Sequence, residues 1–82
     1  MTGRAAVPFA RTIALEGWSP RSAWGFDAEL ECFWVELWRD GEVEPAVHIG
    51  AEHLVPTVPV LARAVARVAG LRPEAAFLAL TA

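Results

Sequence analysis

The chain has 82 residues, of which 55% are hydrophobic, and it carries a net charge of −3. This length gives one small domain that buries only about 60% of its unfolded surface, so part of its apolar surface is expected to face a partner. A single cysteine excludes an internal disulfide and favours a reducing compartment, for which we expect the cytoplasm. No apolar run reaches the ~18 residues of a membrane span, and we expect no membrane association.

Charge is unevenly distributed along the chain. Residues 27–44 hold seven acids against Arg39, a local charge of −6, whereas residues 1–26 and 57–82 each hold three arginines against one glutamate, or +2. Such blocks either neutralise each other within one molecule or form complementary faces of a self-associating protein. We favour internal neutralisation.

The first part of the chain predicts little regular structure. Residues 1–10 are expected to form a loose lead-in, and residues 11–82 a single small domain. Residues 11–16 alternate polar and apolar side chains and predict a short strand. Residues 17–25 contain Pro20 and two glycines, which predicts a loop that Trp18 and Trp24 pin to the domain.

Residues 28–39 fit both a helix and a strand. As a helix, the segment would begin after Asp27 as N-cap and end at Gly41, with five apolar residues on one stripe: Leu30, Phe33, Trp34, Leu37 and Trp38. As a strand, residues 31–39 alternate their side chains and are rich in aromatic and β-branched types. The Asp40-Gly41 turn signal, followed by a β-like run over residues 44–50, favours a hairpin over the helix.

The clearest element is a helix near the C-terminus. Thr57 is a good N-cap, Pro59 suits the first turn, and Gly70 suits the end, which predicts a helix over about Val58–Ala69. Arg63 and Arg67 lie four residues apart, opposite the apolar stripe of this helix. Residues 72–79 predict a further short helical turn.

These elements predict an α+β fold. A small antiparallel sheet of two to three strands, with its hairpin around Asp40-Gly41, is packed by the C-terminal helix and the short terminal helical turn. One helix covers only one face of such a sheet. Both faces of the central strand look apolar, so the uncovered one is expected to need a second cover.

The leading functional hypothesis is therefore a non-catalytic protein–protein interaction module. It would act as a homodimer, or as an accessory subunit, through an aromatic sheet face. Trp18, Trp34 and Trp38 are the candidate anchors, since tryptophan is enriched at interface hot spots.

An alternative is a nucleic-acid-associated regulator. Arg63 and Arg67 would contact phosphates, while Arg21 lies between Trp18 and Trp24, which could stack on bases. The sequence pI of about 5.2 and the absence of lysine disfavour this alternative, because a basic footprint is the first requirement of such a protein.

Catalysis and metal binding have weak support. His48 and His53 are the only imidazoles, and as metal ligands they would need others from elsewhere in the chain. A Cys32–His48 nucleophile and base pair is conceivable, but acidic neighbours in the sequence would blunt the thiol. We expect no enzyme activity, no metal and no cofactor.

Overall fold

The structure, a computed structural model, describes residues 9–82 apart from the side chain of Ala51. Within them the chain forms four strands, one short 3₁₀ turn and two helices. In chain order these are β1 (Phe9–Thr12), β2 (Ala23–Asp27), β3 (Cys32–Leu37), β4 (Val47–Ile49), the 3₁₀ turn (Ala51–His53), α1 (Val58–Ala69) and α2 (Pro73–Thr81).

The strands form one antiparallel sheet in the order β1-β2-β3-β4. The α+β class is confirmed, and so is the hairpin around Asp40-Gly41, since β3 pairs with β4 across that loop. Residues 32–37 are therefore strand, not helix. The described sheet has four strands where two to three were predicted.

The additional strand is β2, which lies in the segment predicted to be a loop. Its central Gly25 and the nearby Pro20 give it the composition of a turn, but pairing with β1 and β3 on either side makes it an interior strand. The Oδ1 atom of Asp27 accepts the backbone N–H groups of Glu29 and Leu30 at 3.0 and 3.2 Å. The capping chemistry that suggested a helix start instead closes the turn between β2 and β3.

The first strand is displaced from its predicted position. β1 spans Phe9–Thr12, whereas the alternation predicted residues 11–16. The predicted lead-in falls largely on residues 1–8, which lie outside the described residues. Beyond the strand, Ile13 is buried in the core and donates its N–H to the Ser22 carbonyl at 3.0 Å.

Both C-terminal elements are helices. In α1 the Thr57 hydroxyl oxygen accepts the Val60 N–H at 3.3 Å, and Gly70 ends the helix in the left-handed conformation at φ 71°. These are the caps that the sequence predicted. The predicted terminal turn is a nine-residue helix, α2, which opens on Pro73.

Both helices pack on the same face of the sheet and form one core. Its sheet side includes Trp24, Val35, Leu37 and Ile49, and its helix side includes Leu61, Val65, Ala76 and Leu80. Trp24 is only 4% exposed and meets Phe9 edge-on at 5.1 Å between ring centroids. Its indole N–H has no hydrogen-bond partner among the described residues.

Candidate functional site

The sheet face turned away from the helices is the first candidate site, and we call it the outer face. Side chains alternate along each strand, so strand pairing aligns its members in two rows. Its central members are Ala10, Gly25 and Trp34 in one row and Thr12, Ala23, Glu36 and His48 in the other.

Trp34 is the one large side chain among these seven residues. It is half-buried, and its indole lies over Gly25: a Cβ atom added there would be 2.7 Å from the Trp34 Cζ2 atom. Ala10 continues the row on β1. Trp34 thus lies against small residues on the neighbouring strands, Gly25 on β2 and Ala10 on β1.

The outer face is less uniformly apolar than the sequence indicated. On its β4 side, the His48 Nε2 atom lies 4.0 Å from the Glu36 Oε2 atom. Cys32, which the alternation also assigns to this face, is only 5% exposed. The exposed apolar part is therefore Trp34 with the small residues of β1 and β2.

Trp18 and Trp38 lie at one end of the sheet, apart from Trp34 along the strand. Each ring is covered by an arginine: the Arg21 guanidinium carbon is 3.8 Å from the Trp38 ring centroid, and that of Arg39 is 4.0 Å from the Trp18 centroid. Trp18 also packs against the core. These contacts stabilise the end of the sheet by cation–π attraction.

Two buried serines hold this end together, and sequence reasoning missed both. The Ser22 hydroxyl oxygen accepts the Trp38 N–H at 2.9 Å, and the Ser19 N–H donates to the Trp38 carbonyl at 2.7 Å. Neither serine is more than 4% exposed. Their position beside Pro20 and Arg21 looked like an ordinary turn, so the only signal was two small hydroxyls in an apolar region.

A second candidate site lies on the helix side of the molecule. It is a cleft of about 380 Å³ beside α1, which we call the α1 cleft. It brings together Arg63, Arg67 and His53, which the sequence had assigned to separate hypotheses. Its apolar lining consists of Ile49, Val55, Val60, Ala64 and Val68.

The two histidines share one carboxylate. The Glu52 Oε2 atom lies 3.7 Å from the Nδ1 atom of His48 and 3.6 Å from that of His53. Among the described residues, no group of three or more His, Cys, Asp or Glu side chains is arranged to hold a metal ion. His48 pairs with Glu36, four residues along β3 from Cys32, so the structure does not bring the thiol beside this imidazole.

The chain has no significant match among protein-family models, among curated proteins or among solved structures. Among the described residues, no helix combines the length and the apolar character that crossing a membrane requires.

Proposed function

We propose that this protein is a small non-catalytic protein–protein interaction module that acts as a homodimer through the outer face. The observation that carries the proposal is the half-buried Trp34 on a sheet face opposite both helices. Tryptophan is enriched at interface hot spots, which lie near the centre of a contact.

The shape of the outer face suits contact with a second copy. Ala10 keeps the surface beside Trp34 low, and the Trp34 indole lies flat over Gly25, so another sheet can approach to the roughly 10 Å spacing of stacked sheets. In a two-fold dimer the same patch is used by both copies. The row through Trp34 on one copy then packs against the equivalent row on the other.

Polar groups flank this patch on two sides. The Glu36–His48 pair lies on the β4 side, and the arginine-covered Trp18 and Trp38 lie at the end of the sheet. A polar rim around an apolar centre is the usual anatomy of a protein–protein contact. In this arrangement Trp34 is the anchor, while Trp18 and Trp38 belong to the rim.

A non-catalytic role accords with the chemistry of the described side chains. Cys32 is buried, and Glu42 and Glu44 are exposed to solvent, which favours neither a reactive thiol nor a carboxylic acid in a dry pocket. The lone cysteine also supports placing the protein in the cytoplasm.

Absolute mass in solution, measured by light scattering behind a sizing column over a concentration series, tests the proposal. We expect a mass near twice the 8.9 kDa of the chain, falling toward one chain only on dilution. A mass of one chain at every concentration would overturn the homodimer.

Nucleic-acid binding remains a second candidate because Arg63 and Arg67 form no ion pair with a carboxylate of the described residues. Arg21, the third arginine of that hypothesis, is engaged with the Trp38 ring and the Glu42 carbonyl. Binding of this kind would weaken steeply with added salt. The absence of any gel shift with single- or double-stranded oligonucleotides at low salt would eliminate it.

A further inference from the structure

We propose that the α1 cleft binds a small organic anion made of a carboxylate head and an aliphatic body. Arg63 and Arg67 hold the head, and the apolar lining of the cleft holds the body. The site lies on the helix side of the sheet, so the inference is independent of the homodimer proposed for the outer face.

The floor of the cleft is suited to an aliphatic chain. Ile49 and Val55 are buried, and Val60 and Val68 are partly exposed at the surface of α1. The volume of about 380 Å³ is within the roughly 300–1,000 Å³ of small-molecule sites. Covering this lining with an aliphatic body removes apolar surface from water.

The two arginines supply the polar end of the site. They lie four residues apart on α1, which places their Cβ atoms about 5–6 Å from each other on one side of the helix. Both are exposed. A guanidinium binds a carboxylate through two parallel hydrogen bonds, and two guanidiniums can share one such head.

The neighbouring acid does not neutralise these arginines. Glu52 is the carboxylate nearest in sequence to the cleft lining, and its Oε2 atom lies beside the imidazoles of His48 and His53. No ion pair joins it to Arg63 or Arg67. An incoming anion would therefore meet two guanidiniums that no described carboxylate already holds.

A solvated arginine stripe that binds nothing is the competing explanation. It predicts no saturable binding. Any weak charge-dependent association would then decrease equally whichever exposed arginine is removed. The two explanations are separated by titrating the full ¹⁵N-labelled chain with octanoate and following amide chemical shifts. Parallel titrations use 1-octanol, which has the chain without the charge, and acetate, which has the head without the chain.

We expect octanoate to saturate shifts centred on residues of the α1 cleft, with 1-octanol and acetate each at least about tenfold weaker, since hydrogen bonds to charged groups and buried methylenes both contribute. A lack of saturation would overturn the proposal. So would equal binding of 1-octanol, or shifts centred instead on the groove between α1 and α2 that Phe77 and Leu78 line.

Matched variants test which arginines bind the carboxylate, and Arg67 is the specific probe because Arg63 also lines the groove between α1 and α2. Arg63→Gln and Arg67→Gln are each expected to weaken octanoate about tenfold or more, because each removes a charge-assisted hydrogen bond. Arg72→Gln, at the exposed N-cap of α2 and outside the cleft, is the control and should leave the affinity within about twofold. Equal weakening by all three changes would show a general charge effect and contradict the site.

Discussion

The indole of Trp34 occupies the space that a side chain at Gly25 would need. The two residues are paired across β2 and β3, and a Cβ atom at Gly25 would also meet the carbonyl oxygen of Phe9 on β1. A glycine that looked like part of a turn is therefore the position that lets three strands and one tryptophan pack together.

Gly25→Ala is expected to lower the free energy of unfolding by about 2–3 kcal/mol, because either the indole or β1 must move to admit the methyl group. Urea unfolding followed by circular dichroism measures this loss. Gly41→Ala is the control: its φ of +82° is strained for alanine, but the added methyl group meets nothing within 4 Å. Its cost should be nearer 1 kcal/mol, and an equal or smaller cost for Gly25→Ala would contradict the packing described.

Ser22→Ala removes the hydroxyl oxygen that accepts the Trp38 N–H. Because Ser22 is fully buried, the change leaves a backbone donor without its partner and should cost about 1–3 kcal/mol in unfolding free energy. Thr81→Ala deletes a hydroxyl that donates to the Phe77 carbonyl on the exposed side of α2, and should cost less than about 0.5 kcal/mol. Similar losses from the two variants would argue against a structural role for Ser22.

Thr57→Ala should destabilise the protein by about 1 kcal/mol, since the side chain caps α1 by accepting the Val60 N–H. Thr57→Ser keeps the hydroxyl and is expected to unfold within a few tenths of a kcal/mol of the wild type. Thermal unfolding of the wild type and the two variants measures these differences in stability. If serine were as damaging as alanine, the loss would come from the methyl group and not from the cap.

The Cys32 thiol is expected to react with an aromatic disulfide reagent at least about tenfold more slowly in the native protein than in urea, because it is 5% exposed and reaction requires opening of the sheet. Absorbance at the wavelength of the released thiolate gives both rates. Equal rates would mean that Cys32 is accessible, which would restore the case for a reactive thiol.

Local signals were sufficient to predict α1 from the sequence. Thr57, Pro59 and Gly70 act within a few residues of the chain, so each end of the helix could be located without knowing its neighbours. β2 could not be found in this way. Trp24 and Phe26 favour a strand, but Gly25 between them and the nearby Pro20 indicate a turn, and pairing with β1 and β3 on either side decides the outcome. The four-stranded sheet is thus a consequence of long-range packing.

For the candidate sites too, local features could be predicted from the sequence, whereas contacts between elements could not. Alternation in β3 correctly assigned Trp34 and Val35 to opposite faces, but the Glu36–His48 pairing depends on the register with β4, which the sequence did not give. Arg63 and Arg67 were identified as a stripe on α1. Their association with His53 in one cleft depends on how the 3₁₀ turn packs beside the helix that follows it, which local propensities do not predict.

The central claim is that two copies meet through the outer face, and the most direct test is the solution mass of three arginine variants at the same concentration. Ala10→Arg places a charge beside Gly25 on that face, Ala75→Arg makes the same change at an exposed position on α2, and Leu78→Arg disrupts the exposed apolar groove of the helix side. The account predicts a folded monomer for Ala10→Arg and dimers for the other two. A dimer for Ala10→Arg together with a monomer for Leu78→Arg would place the contact on the helices and contradict it.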